Sequence, residues 1–417
     1  MTIKKVLQPY LELPKAVYIM LLASVISNMG NFVHPLLTMF LTYKVGMGVA
    51  TVGSIVAINS VAGLVGTLIG GKLIDKIGRK IIFMVFRTLS AVSILCCGFA
   101  KDTWIIVAFI MLSNFVTGIS SPVYSTIMTD LTKGDKRKTA FSLHYMAMNV
   151  GMAVGPLMAA FLYNKYIRLL FIGDAVTTII SVILVATMVP ETMPKFGEFD
   201  AEENEKDYHK ETAEQGGLMK ALLKRPQILI FSAIMVIYFL VFSQYNFGIS
   251  LQLGDVFSKD TASLVFGTLM TVNTVLCSLL PPLLPYVIKN VKPSMCIALG
   301  GLFYTVGFGM MAFITSYGMF ILSAVLWTIG EILVATNTNI YIADNAPISH
   351  RGRFNSIFPI IRKLGFILGP MLAGVYVKHF SIQALWIPIG ILAFIGALLM
   401  CGLQIVVNKR ETSCRKN

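Results

Sequence analysis

Apolar runs long enough to cross a bilayer as helix, about 20 residues each, recur along this chain from residue 16 to residue 408. Twelve are read: 16–42, 50–71, 81–99, 103–129, 139–164, 168–189, 227–254, 262–288, 294–313, 317–343, 353–379 and 382–408. In lipid every main-chain polar group must find its partner inside the protein, so runs of this length imply helices. Composition points the same way. Of 417 residues, 56% are hydrophobic and 13% charged, with a mean hydropathy of +0.76, far from an ordinary soluble domain. An all-α integral membrane protein with twelve transmembrane helices is expected. The first run exceeds a signal-peptide core and lacks a small-residue cleavage site, so it is expected to stay as the first span.

The net charge of +14 is topogenic rather than a sign of nucleic acid. With an even number of spans both termini share a side. That side collects 25 of the 34 Lys and Arg, against six on the other. Both termini are therefore expected in the cytoplasm of a plasma-membrane protein. The remaining three, Arg87, Arg362 and Lys363, fall inside spans. Arg87, seven residues from Lys80, is expected to snorkel toward the cytoplasm. Cys96, Cys97, Cys277, Cys296 and Cys401 in the spans and Cys414 in the tail show no metal-like spacing and read as small apolar fillers. No metal or cofactor is expected.

Residues 190–226 interrupt the pattern with a polar stretch holding nine of the twenty acidic residues. This reads as a cytoplasmic linker, partly disordered, between a six-helix half at 1–189 and another at 227–417. A 214-residue shift sets 129–160 on 343–374 without a gap. Asp130 then meets Asp344, Arg137 meets Arg351, Gly151 meets Gly365, Gly155 meets Gly369 and Pro156 meets Pro370. The fifth and eleventh spans are one element used twice, and the halves a duplicated, pseudo-symmetric unit.

Between the second and third runs, GKLIDKIGRK fills every position of G-x-x-x-D-(R/K)-x-G-(R/K)-(R/K) with Gly71, Asp75, Lys76, Gly78, Arg79 and Lys80. With six spans on either side of a polar linker, this resembles the major facilitator superfamily. GMAVGPLMAA in the fifth span resembles G-x-x-x-G-P-x-x-G-G of drug:proton antiporters, with Ala159 and Ala160 in place of the last glycines. The fourth span departs from that branch, carrying Asn114 where many antiporters have an arginine four residues before a glycine, here Gly118. The resemblance implies that Asp75 sits at the N-terminus of the eleventh helix and that Arg79 pairs with Asp130, a latch on the cytoplasmic side. Gly71 and Gly78 suit close backbone crossings. Gly151, Gly155, Pro156 and their counterparts Gly365, Gly369 and Pro370 suit helix packing, with the prolines allowing a kink.

Charges deep in a membrane are costly and mark function. Glu331 lies roughly 20 Å from the cytoplasmic end, and Arg362 and Lys363 roughly 14 to 15 Å, at about 1.5 Å per residue. Glu331 with either base would form a buried pair, responsive to protons or substrate, or static and fixing helix register. His34, the only histidine in the middle part of a helix, suits a proton relay or a packed, hydrogen-bonded role. Asp174 lies nearer the outer surface and suits a local cap or pair. In the seventh span Tyr238, Phe242, Gln244, Tyr245, Asn246 and Phe247 mix aromatics with amides, which suits a large amphiphilic ligand. The resemblance implies a cavity lined by the first, fourth, seventh and tenth spans, bringing Asn28, Asn31, His34, Asn114, Gln244, Asn246, Glu331 and Asn337 toward it.

The expected function is a secondary active transporter, not an enzyme, exporting amphiphilic small molecules by proton antiport as a monomer. Uptake, lipid flipping and a non-transporting sensor are the alternatives. No GxxxxGK(S/T) loop supports direct use of ATP.

Overall fold

The computed structural model describes residues 12–132, 134–193, 226–281, 291–345 and 351–414. Twelve helices among them are long and apolar enough to cross a membrane. They are Lys15–Lys44, Val49–Ile74, Arg79–Cys97, Thr103–Leu131, Thr139–Lys165, Ile167–Met188, Gln227–Val256, Thr261–Leu279, Pro293–Ala312, Tyr317–Ile342, Ile360–His379 and Ile382–Asn408, here the first to twelfth spans. No strand occurs among the described residues. The expected linker falls, save for 190–193 and 226, outside them, as does the far end of the expected eighth span.

Helix ends follow local chemistry. Asp102 caps the fourth span, its carboxylate accepting from the main-chain N–H of Trp104 at 2.8 Å and Ile105 at 3.0 Å. The third helix begins at Gly78, where φ is +118°, a conformation reserved for glycine.

Two compact units form. The first comprises 1–193 with 249–278, the second 194–248 with 279–417. Chain order and packing therefore part company in the seventh span. Its last turns and the eighth span pack with the first six. Tyr43 donates to the carbonyl of Leu251 at 2.6 Å, Thr271 to that of Ala153 at 2.9 Å, and Ser263 to Asn164 Oδ1 at 3.0 Å.

Within the first unit, glycines let helices close to backbone contact. A Cβ on Gly151 would lie 2.7 Å from the Val25 carbonyl, and one on Gly155 would lie 2.9 Å from that of Met29, so the fifth span presses on the first. The second unit repeats the arrangement. A Cβ on Gly365 would lie 2.7 Å from the Leu240 nitrogen, and one on Gly369 would lie 2.9 Å from the Leu240 carbonyl, so the eleventh span presses on the seventh. Both partner helices are also broken. The first span divides into Lys15–Met29 and Val33–Met39, and the seventh passes through a 3-10 turn at Ser243–Tyr245, at equivalent places in the 214-residue register.

Candidate functional site

A polar cavity of about 360 Å³ opens among the six spans of the first unit. Helical periodicity builds it. The first span contributes Ser24, Ser27, Asn28 and Asn31, spaced to share one face, and the fourth contributes Ser113, Asn114, Thr117, Ser120, Ser121 and Tyr124 in the same rhythm. The third and fourth spans are zipped along this wall by hydroxyls. Ser90 lies 2.8 Å from Ser113 and 2.9 Å from Thr117. Asn114 donates to the Asn59 carbonyl at 2.5 Å, joining the fourth span to the second, while the buried Asn59 Oδ1 has no hydrogen-bond partner.

Four ionisable side chains besides Tyr124 face this space: His34, Arg87, His144 and Asp174. Asp174 Oδ2 accepts from the main-chain N–H of Phe32 at 3.1 Å and Val33 at 3.2 Å. It thereby satisfies the donors exposed where the first span restarts. Thr177, one turn on, fills the place a side chain on Gly30 would need. Arg87 does not snorkel toward the loop as its sequence position suggested. It lies on the cavity-facing side of its helix with Ser90 and Ile94, donates through Nη2 to the Ser27 hydroxyl, and keeps a buried Nε without a partner. His34 is not at mid-helix either, being the second residue of the restarted segment Val33–Met39. Nor is it alone. His144 in the fifth span stacks on Tyr124 with ring centroids 5.5 Å apart, its buried Nδ1 unpartnered.

At one end of the same unit the GKLIDKIGRK loop is tied down. Arg79 Nε lies 3.2 Å from Asp130 Oδ2. Glu191, which sequence reading left in the linker, accepts from the main-chain N–H of Arg79 and of Lys80, each at 3.0 Å, and so caps the third helix. Thr192 donates to Asp130 at 2.8 Å. Gly71 meets nothing within 4 Å of an added Cβ, so the close crossing expected there does not occur. Gly78 carries the demand instead. The side chain of Asp75 and its expected partner at Arg353 to Asn355 lie outside the described side chains.

In the second unit, Phe242 stacks on Tyr245 at 4.8 Å and approaches Tyr304 at 5.9 Å and Trp327 at 6.2 Å. Arg362 lies over the Phe366 ring, 5.7 Å from its centre, and Tyr245 approaches the same ring at 6.5 Å. Lys363 is half-buried in the next position. Other named side chains are spent on packing. Tyr238 donates to the Ile297 carbonyl at 3.2 Å and Asn337 to that of Leu333 at 2.9 Å. Gln244 is buried, donates to Ser243 at 3.3 Å and leaves Oε1 unpartnered; Phe247 is buried and Asn246 half-buried.

The sequence reading sent Arg87 toward the loop, left Glu191 in the linker and did not single out His144 or Asn59. The signal for three of them was the polar stripe of the fourth span, which requires polar partners on the helices it faces.

A family model described as Major Facilitator Superfamily matches residues 19–264 and 242–413. The uncharacterized MFS-type transporter YttB of Bacillus subtilis (strain 168) is 25% identical over 387 residues, covering 92% of this chain and 94% of its own. A Na(+), Li(+), K(+)/H(+) antiporter of Planococcus maritimus is 20% identical over 368 residues, covering 81% of this chain and 84% of its own. A POT family transporter, solved in complex with a thioalcohol-conjugated peptide, superposes with a TM-score of 0.80 at 12% identity, covering 94% of this chain and 97% of that one. That last likeness concerns the fold alone. With twelve helical spans in a repeated six-helix plan and family similarity along nearly its whole length, this chain belongs to the Major Facilitator Superfamily and is a multi-pass membrane transporter, not an enzyme.

Proposed function

We propose that this transporter exports amphiphilic small molecules across the cell membrane in exchange for protons, with both termini cytoplasmic. The observation that carries the reading is the fifth-span GxxxGP, which has the form typical of drug:proton antiporters and whose glycines seat against the first span beside the break at Gly30. A broken helix next to a close-packed one is a place where a small rotation changes which side a cavity faces. The relative from Planococcus maritimus, an antiporter of cations against protons by its name, supports exchange as the coupling mode. Ionisable groups for moving a proton stand in each unit: Asp174 and His34 in the first, Glu331 with Arg362 and Lys363 in the second. Asn28, Asn31 and Asn114 supply orienting amides in the cavity of the first unit.

The test is flux in inverted vesicles with an acid interior, screened across cationic, neutral and anionic amphiphiles. A transported compound should alkalinise the interior as it enters. Uptake with no substrate-dependent proton movement refutes antiport.

A further inference from the structure

We propose that the polar cavity of the first unit is a subsite for a compact zwitterion, a solute or head group carrying one ammonium and one carboxylate. The argument starts from two opposite charges that share a cavity yet are fastened to different things. Asp174 is held by two main-chain N–H groups through Oδ2, and Arg87 by the Ser27 hydroxyl through Nη2. In a low-dielectric surrounding such charges attract strongly, and here each is fastened to its own partner on the cavity wall.

Both charged groups keep hydrogen-bonding capacity that the described residues leave unused. Asp174 Oδ1 takes no part in the main-chain bonds, and Asn59 Oδ1, on the lining of the same cavity, is a second unused acceptor. Arg87 Nε is an unused charged donor, and His144 Nδ1, also of the lining, is unpartnered. A lone anion placed here would face the Asp174 carboxylate, and a lone cation the Arg87 guanidinium. A neutral solute would match neither charge. Only a molecule with both signs satisfies both groups, and buried polar groups left unmatched are costly. The cavity volume of about 360 Å³ leaves room for a compact head group of this kind. The inference specifies the head group for the export reading and rests on that reading for transport, though not for binding.

Full-length protein in lipid nanodiscs is titrated with β-alanine, N-acetyl-β-alanine and β-alaninamide, which carry both charges, the negative alone and the positive alone. Ligand-induced rise of the thermal midpoint reports affinity. β-Alanine should bind about tenfold tighter than either blocked relative. Arg87→Gln should lose the discrimination against β-alaninamide, and Asp174→Asn that against N-acetyl-β-alanine. If either variant fails to fold, the three probes on the wild type decide alone. Equal binding of a blocked relative, or no response to any probe, overturns the proposal. Export is read separately, as proton movement with an amphiphile. A protein that exports yet ignores β-alanine loses this subsite only, and one that binds it without flux loses the export reading only.

Discussion

The carboxylate of Asp174 in the sixth span holds the main-chain N–H of Val33 in the first at 3.2 Å, and shares that of Phe32 with the Gly30 carbonyl, across a break that interrupts the helix bonds. In water such donors would be solvated. Within a membrane they need a protein acceptor, and the side chain that serves here also carries one of the charges of the cavity.

Removing that acceptor should therefore cost stability as well as function. Asp174→Ala strands the Val33 donor and leaves Phe32 with the Gly30 carbonyl alone; a loss of about 1 to 3 kcal/mol is expected, while Asp174→Asn, which keeps an oxygen, should lose about half as much. Thermal midpoints of the detergent-purified variants check the order. If alanine and asparagine behave alike, the main-chain bonds are not what the carboxylate contributes.

A second cap closes the motif loop. Gly78 has φ +118°, and a Cβ there would come within 2.9 Å of Glu191 Oε2. Gly78→Ala should cost roughly 1 to 3 kcal/mol through backbone strain. Glu191→Ala should cost about 1 kcal/mol through the lost cap. Because the two share a contact, the double variant should lose less than the sum. Strict additivity in a double-mutant cycle would mean that Glu191 caps the helix independently of the glycine.

The spans, their number and the repeat were legible because lipid imposes one length and one period on every segment. The match of Gly151 to Gly365 needed only a fixed shift. What stayed hidden was orientation. Arg87 has the same hydropathy whether it snorkels or turns inward, and only the polar stripe on the fourth span, with Ser113 and Thr117 reaching Ser90, shows which face of the third span looks in. Glu191 was hidden for a different reason. It follows a span and opens a charged linker, and nothing local indicates that it returns to a helix start more than a hundred residues earlier.

Not all glycines in the motifs should be equally intolerant. Gly71 has no heavy atom within 4 Å of an added Cβ, so Gly71→Ala should change stability by less than about 0.5 kcal/mol. At Gly365 the added carbon would lie 2.6 Å from the main-chain carbon of Phe239, and at Gly151 it would lie 2.7 Å from the Val25 carbonyl. Backbone must move there, and a loss of about 1 to 3 kcal/mol is expected for each. Midpoints from fluorescence-detected size exclusion after heating give the comparison. A Gly71→Ala loss as large as that at Gly365 would place Gly71 at a crossing after all.

The charges of the second unit lead to the last prediction. Glu331 is a half-buried carboxylate in the tenth span, and Arg362 in the eleventh stands over Phe366. If proton binding at Glu331 couples transport, Glu331→Gln mimics the protonated state permanently. Flux should then stop responding to an imposed pH gradient while downhill exchange of substrate continues. If Glu331 also balances Arg362 or Lys363, the same change leaves a base without its carboxylate, and an uncompensated cation in the membrane is costly. Replacing Glu331 and Arg362 together should accordingly reduce folded yield less than replacing Glu331 alone. With one carboxylate against two bases, no second anion among the described residues of these two spans offsets them, so dications should be exported less well than neutral, zwitterionic or anionic amphiphiles. Full pH response in Glu331→Gln, or robust export of a dication by the wild type, would show that the charge balance of this unit sets neither coupling nor selectivity.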